Sequence, residues 1–212
     1  KKTIATITIA TPPKIQTPPP PTSKTVTKPN NNRSQTIKIR LESETALCIV
    51  YIGNNKVAVG TKNGIIKIFC TKTGVKLNQL YGHTASICSL AEVGNGEFIG
   101  SGGDIGCCQL MLWRVGGEEL YHNFSSQHNA AITSILDLND NKHFISGSFD
   151  CNLNIYNIPK KQLIKSTSTS HKITFLSKCP SINSTNKNKS KTDQILSGNL
   201  NSQICVWKIN KN

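Results

Sequence analysis

Phe144-Ile145-Ser146-Gly147-Ser148-Phe149-Asp150-Cys151-Asn152-Leu153-Asn154-Ile155-Tyr156 is the stretch that decides the fold of this chain. Two short runs of apolar residues flank a polar centre. The first run ends on Ser-Gly, an Asp marks a tight turn, and the second run ends on an aromatic side chain. Ser and Asp side chains bond nearby backbone amides and so favour such turns. Short strands bounded by turn residues read as a hairpin. One hairpin defines no fold, but this one recurs.

Outward from it, Phe69, Trp113, Tyr156 and Trp207 fall in register, spaced by 44, 43 and 51 residues. His83, His128 and His171 follow at spacings of 45 and 43. The long last step has a visible cause, a polar insertion from Ser181 to Lys191 that carries Lys187, Lys189 and Lys191. Each unit reads alike. A polar start such as Gly82-His83 precedes a strand, Ser86 to Leu90. A second strand ends in Ser-Gly, as at Ser101-Gly102, Ser146-Gly147 and Ser197-Gly198. A turn residue follows (Asn63, Asp104, Asp150, Asn201), then a strand closing on the aromatic, then a more polar strand such as Lys76 to Tyr81. A fixed period of this length signals a repeat architecture in which each unit packs on its neighbours.

These residues resemble the WD-repeat (WD40-type) family, in four units over roughly residues 36–209. The resemblance implies an all-β fold, a β-propeller of four-stranded antiparallel blades. It also implies one hydrogen-bonded network per blade. Those sets are His83, Ser101, Asp104 and Trp113; His128, Ser146, Asp150 and Tyr156; and His171, Ser197, Asn201 and Trp207. The third unit is the most complete and the first the least, with Val59 at the Ser position and no Gly-His. No unit follows its aromatic with Asp, and the second has a widened turn from Gly103 to Cys108.

His, Ser and Asp together suggest a hydrolase triad. The set recurs with the period, whereas a triad is needed once, and no G-x-S-x-G elbow is present. No P-loop, metal cluster or paired carboxylates stand out. The expectation is therefore no enzyme, no catalytic residue, no metal and no cofactor. The resemblance points instead to a protein-interaction scaffold or adaptor using propeller face and rim, as a targeting or substrate-recognition part of a larger protein. In the family, the residue before the turn Asp lies on one face near the central channel. Here that gives Lys62, Phe149 and Leu200, with Gly103 in the second unit, and Thr84 and Asn129 close by, as candidate partner-binding residues.

Residues 1–34 form a Pro/Thr/Lys-rich tail or linker, expected to be disordered, and residues 35–212 the propeller blades. The net charge is +14, and residues 1–35 contribute six basic side chains and no acidic one. Two readings stand. An AT-rich coding bias would enrich Lys, Asn and Ile together. Alternatively, the tail and loops bind RNA or a ribonucleoprotein. None of the eight cysteines forms a C-x-x-C pair. Cys48, Cys88 and Cys179 fall at similar places in successive units, as do Cys70 and Cys205, which reads as free, buried thiols in a reducing, intracellular compartment, cytoplasmic or nuclear. No apolar run is long enough to insert in a membrane.

The ends of the repeat region leave three arrangements open. The last unit stops after its aromatic strand, and the first is preceded by an orphan strand, Thr36 to Leu41. That strand suits circular closure, which removes an exposed edge. The chain is then part of a longer propeller, one half of a homodimeric ring, or a small closed ring.

Overall fold

The computed structural model describes residues 4–8, 36–117, 119–124, 127–179 and 193–209. The expected tail lies outside the described residues except for β1 (Ile4–Thr8), and so do the lysines of the insertion. β1 pairs antiparallel with β2 (Thr36–Arg40), so this part of the expected tail is a strand. Four antiparallel sheets follow in chain order. The first holds β3 (Ala46–Tyr51), β4 (Lys56–Thr61), β5 (Ile65–Cys70) and β6 (Lys76–Tyr81). The second holds β7 (Ile87–Val93), β8 (Phe98–Gly103), β9 (Leu110–Arg114) and β10 (Glu119–Asn123). The third holds β11 (Ile132–Asp137), β12 (His143–Ser148), β13 (Asn152–Asn157) and β14 (Gln162–Ser168). The fourth has three strands among the described residues, β15 (Ile173–Cys179), β16 (Asp193–Asn199) and β17 (Ile204–Ile209).

Strand chemistry explains this layout. The middle strands of the first three sheets are covered on both faces and read as near-continuous apolar runs, as in Leu110-Met111-Leu112-Trp113. The outer strands have one wet face and alternate. The first strands β3, β7, β11 and β15 contact one another in sequence, so the sheets radiate from a common axis. Apolar side chains from neighbouring sheets merge into shared cores. Leu110 and Leu112 of the second sheet pack with Ile132 and Ile135 of the third. Ile66 and Ile68 of the first pack with Ile87 and Ile99 of the second. Each such Ile or Leu, fully buried, contributes roughly 1.5–3 kcal/mol.

Every sheet bends at the same place. A bulge interrupts the first strand pair between Ala46 and Cys48, Ile87 and Ser89, Ile132 and Ser134, and Ile173 and Phe175. Bulges re-aim side chains and add twist. They also set the register between sheets: Ala46, Ile87, Ile132 and Ile173 are equivalent, as are Cys48, Ser89, Ser134 and Phe175. The expected cysteine equivalence fails on this register, because Cys48 aligns with Ser89 and Cys88 with Leu47. All eight thiols are free, but they are partly rather than fully buried.

The orphan strand does not complete the fourth sheet. β2 pairs with β1, and β17 has no outer neighbour among the described residues. Instead Ile39 and Leu41 pack on Val57, Val59 and Phe69 of the first sheet. Ile39 stands seven residues before Ala46, as Leu80 stands before Ile87, and Leu80 packs on Met111 and Trp113. β2 thus occupies the place of the outer strand of a sheet preceding the first.

Candidate functional site

The turn between the second and third strands of each sheet carries the repeated polar residues. In the third sheet, Asp150 Oδ1 accepts from the Asn152 amide at 2.8 Å, and Oδ2 accepts from the Asn129 amide at 3.0 Å. His128 Nδ1 lies 2.7 Å from Asp150 Oδ2, and His128 Nε2 lies 2.7 Å from Ser146 Oγ. The Tyr156 hydroxyl bonds Ser146 and accepts from Asn154 Nδ2 at 3.2 Å. Burial pushes Asp150 up, but the bonds from His128, Asn129 and Asn152 outweigh it and hold the carboxyl below its usual value. Burial lowers His128 despite the carboxylate beside it. The pair is then a neutral imidazole donating from Nδ1 to a carboxylate, with Nε2 accepting from the Ser146 hydroxyl. Ser146 is completely buried, so its oxygen meets no solvent or substrate.

The second sheet repeats half of this. Trp113 Nε1 donates to Ser101 Oγ at 2.8 Å, and Ser101 Oγ lies 2.7 Å from His83 Nε2. Asp104, however, is not a partner of His83. It is displaced by one residue. Its amide donates to the Ser86 carbonyl, as the amides of Lys62, Phe149 and Leu200 donate to the carbonyls of Thr45, Ala131 and Lys172. Asp104 therefore holds the face position, and Gly103 holds that of Ser148. Cys107 Sγ stands 3.9 Å from His83 Nδ1 instead. A Cβ on Gly103 would displace Cys107 Sγ from this place. Without a carboxylate, burial depresses His83 to about 4.

In the fourth sheet, Trp207 Nε1 donates to Ser197 Oγ at 2.8 Å, but His171 contacts Asn201 Nδ2 at 3.1 Å and no bond joins it to Ser197. His171 lies two residues before Ile173, whereas His83 and His128 lie four before Ile87 and Ile132. A cleft of about 150 Å³ between Thr169, His171, Ser197 and Trp207 marks where an imidazole would fit. The turn is held by Asn199, whose Oδ1 accepts from the amides of Asn201 and Gln203 at 3.0 and 3.1 Å. The first sheet lacks the network. Thr61 Oγ1 staples its turn by donating to the Ile65 carbonyl at 2.9 Å. Sequence reasoning missed a buried ion pair there, Lys67 Nζ to Glu44 Oε2 at 2.8 Å. The signal was a lysine inside Ile65-Ile66-Lys67-Ile68-Phe69, since a charge in a buried strand needs a partner.

Residues 118–157, from the outer strand β10 of the second sheet through His128 to β13 of the third, match the family model described as WD domain, G-beta repeat. This stretch is similar to a WD repeat. Solved WD-repeat structures share the fold of the rest. The chain is similar to the crystal structure of RRP9 WD40 repeats, with a TM-score of 0.67 and 16% identity over 81% of this chain and 50% of that one. It thus spans about half the length of that relative. It is also similar to the crystal structure of the computationally designed Ika4 protein, with a TM-score of 0.64 and 21% identity over 81% of this chain and 96% of that one. No curated protein matches the sequence. The sheets share the fold of propeller blades.

The face residues of these blades differ in chemistry. Lys62, Thr84, Asn129 and Leu200 are exposed, and Asp104 and Phe149 are half-buried. Their shared backbone bonds put Lys62, Asp104, Phe149 and Leu200 at one end of the blades. Phe149 and Leu200 each lie beside Lys172. Its ammonium lies 5.8 Å from the Phe149 ring centroid, and its carbonyl accepts from the Leu200 amide at 3.3 Å. Among the described residues no cluster of His, Cys, Asp and Glu is arranged to hold a metal, and no helix is long and apolar enough to cross a membrane.

Proposed function

We propose that this chain is a protein-interaction scaffold or adaptor whose partner binds across the turn face, centred on Phe149, Lys172 and Leu200. The observation that carries this reading is the juxtaposition of an aromatic ring, an exposed leucine and an ammonium group on one face of rigid blades. Apolar anchors with a cation beside them are the composition of an interaction hot spot. They fit a segment with an apolar side chain flanked by a carboxylate. Lys62, Thr84, Asp104 and Asn129 form the polar rim. The His-Ser-Asp sets are read as structural and the protein as non-catalytic, because Ser101 and Ser146 are both sealed from solvent. The high positive charge favours a second reading, in which nucleic acid is the partner.

Affinity capture from lysate with and without nuclease, read by mass spectrometry, tests both. Protein partners retained after nuclease, and reduced about tenfold or more by Phe149→Ala, are expected, a loss of about 1.4 kcal/mol of binding. Partners that disappear with nuclease and ignore Phe149→Ala would replace the scaffold reading with the nucleic-acid one.

A further inference from the structure

Successive sheets meet through one repeated contact. The inner strand supplies a small residue, Cys48, Ser89 or Ser134. Beside it the second strand supplies a glycine, Gly60, Gly102 or Gly147. Into the space enters Ile87, Ile132 or Ile173 of the next sheet. A Cβ on Gly60 would strike Cys48 and Ile87, one on Gly102 would strike Ser89 and Ile132, and one on Gly147 would strike Ile173. Hydrogen bonds lock the first two contacts: Ser89 Oγ donates to the Ile132 carbonyl at 2.8 Å, and Cys48 Sγ to that of Ile87 at 3.3 Å.

The two end faces depart from this pattern in compensating ways. The last sheet keeps the glycine as Gly198, but its neighbour is Phe175, 61% exposed, where the other sheets carry Cys or Ser. A Cβ on Gly198 would meet nothing closer than Thr174 Oγ1 at 3.7 Å, so the space is unfilled among the described residues. The first sheet offers Ala46 where the others insert Ile. A large residue replaces a small one at one end, and a small one replaces a large one at the other. The surrounding apolar side chains agree. Ile204 and Val206, 76% and 60% exposed, stand in register with Leu110 and Leu112, which the third sheet covers completely. Ile49, 50% exposed, stands in register with Leu90, Ile135 and Leu176, each packed on the sheet before it.

We propose that the open face of the last sheet packs on the open face of the first sheet in a second copy of this chain, and that the same contact made twice closes a two-fold ring. A heterologous contact of this kind closes when its rotation completes the circle. The occupant is a second copy because the size exchange is written in Phe175 and Ala46, both residues of this sequence. Val206 of one copy then faces Ile49 of the other, as Leu112 faces Ile135 within the chain. β17 gains β2 of the other copy as its outer neighbour, in place of β1.

Light scattering on the full 212-residue chain tests this, with far-UV circular dichroism and thermal melting to verify that each variant folds. The wild-type chain is expected at twice its 23.1 kDa mass. Ile49→Lys and Val206→Glu are each expected at single-chain mass. An equimolar mixture of the two is expected to recover the doubled mass, since one contact then pairs Lys with Glu and the other is unaltered. If either variant fails to fold, Ala46→Phe replaces it and is expected to abolish doubling by filling the receiving space. A wild-type chain at single mass at every concentration, an open-ended rise in mass, or doubling that no variant disturbs would overturn the proposal.

Discussion

At the residue scale, the repeat uses the same side chains to opposite effect in neighbouring blades. Asp150 accepts three hydrogen bonds at a buried turn, whereas Asp104, one residue out of place, caps only the Ile105 amide at 2.7 Å and faces Cys88. Removing one partner from a buried network leaves the others unsatisfied. Asp150→Ala is therefore expected to lower stability by about 2–3 kcal/mol in urea unfolding, and Asp104→Ala by less than about 0.5 kcal/mol. Equal losses would show that the one-residue displacement has no energetic meaning. His83 and His128 make the fold sensitive to acid. Both are lowered in the folded state, His83 to about 4, so the unfolded chain binds protons that the folded chain refuses. Stability is then full above pH 6.5 and is lost as pH falls toward 4. His83 accounts for about 3 kcal/mol of that loss. His83→Gln should flatten this part of the stability-versus-pH curve, and an unchanged slope would contradict the assignment.

At the scale of the element, the strands were legible because their pattern is local. Alternation and aromatic closers mark β4 and β5, β8 and β9, and β12 and β13 in the sequence itself, and Ser-Gly marks β8 and β12. The turn network was legible in the third blade, where every partner keeps its spacing. It misled in the second and fourth blades, because register depends on loop length. Asp104 follows Ser101 by three residues where Asp150 follows Ser146 by four, which puts it in the face position. Ser168 to His171 brings the fourth histidine two residues too close to its strand. The backbone hydrogen bonds of the turns show which residue holds each position after these shifts. The Glu44–Lys67 pair was hidden for a related reason. Glu44 lies in the loop before β3 and Lys67 on β5, and only their proximity in the fold shows that they need each other. The face residues were partly legible: Lys62, Phe149 and Leu200 were placed by position, but Lys172, which lies beside two of them, was not.

At the scale of the whole molecule, the described residues form an arc with two open ends, and β1 pairs at one of them. β2 packs on the first blade as an outer strand does, yet its edge is held by five residues from the far end of the tail. β17 at the other end has an edge of its own and no outer neighbour among the described residues. An unpaired edge seeks a partner, and β1 and β17 compete for the same side of β2. β1 brings one short ladder and no sheet behind it. β17 brings a blade whose apolar face matches the first. Consecutive prolines at Ala5 and Thr6 remove β1 whichever of the two amides points toward β2, because proline cannot donate to a ladder. If β1 blocks the edge, this full-length variant is expected to associate about tenfold more tightly than the wild-type chain in sedimentation equilibrium, a gain of about 1.4 kcal/mol. Weaker association would mean instead that β1 supports β2 in its packed position, and that the doubled form keeps the β1–β2 pair.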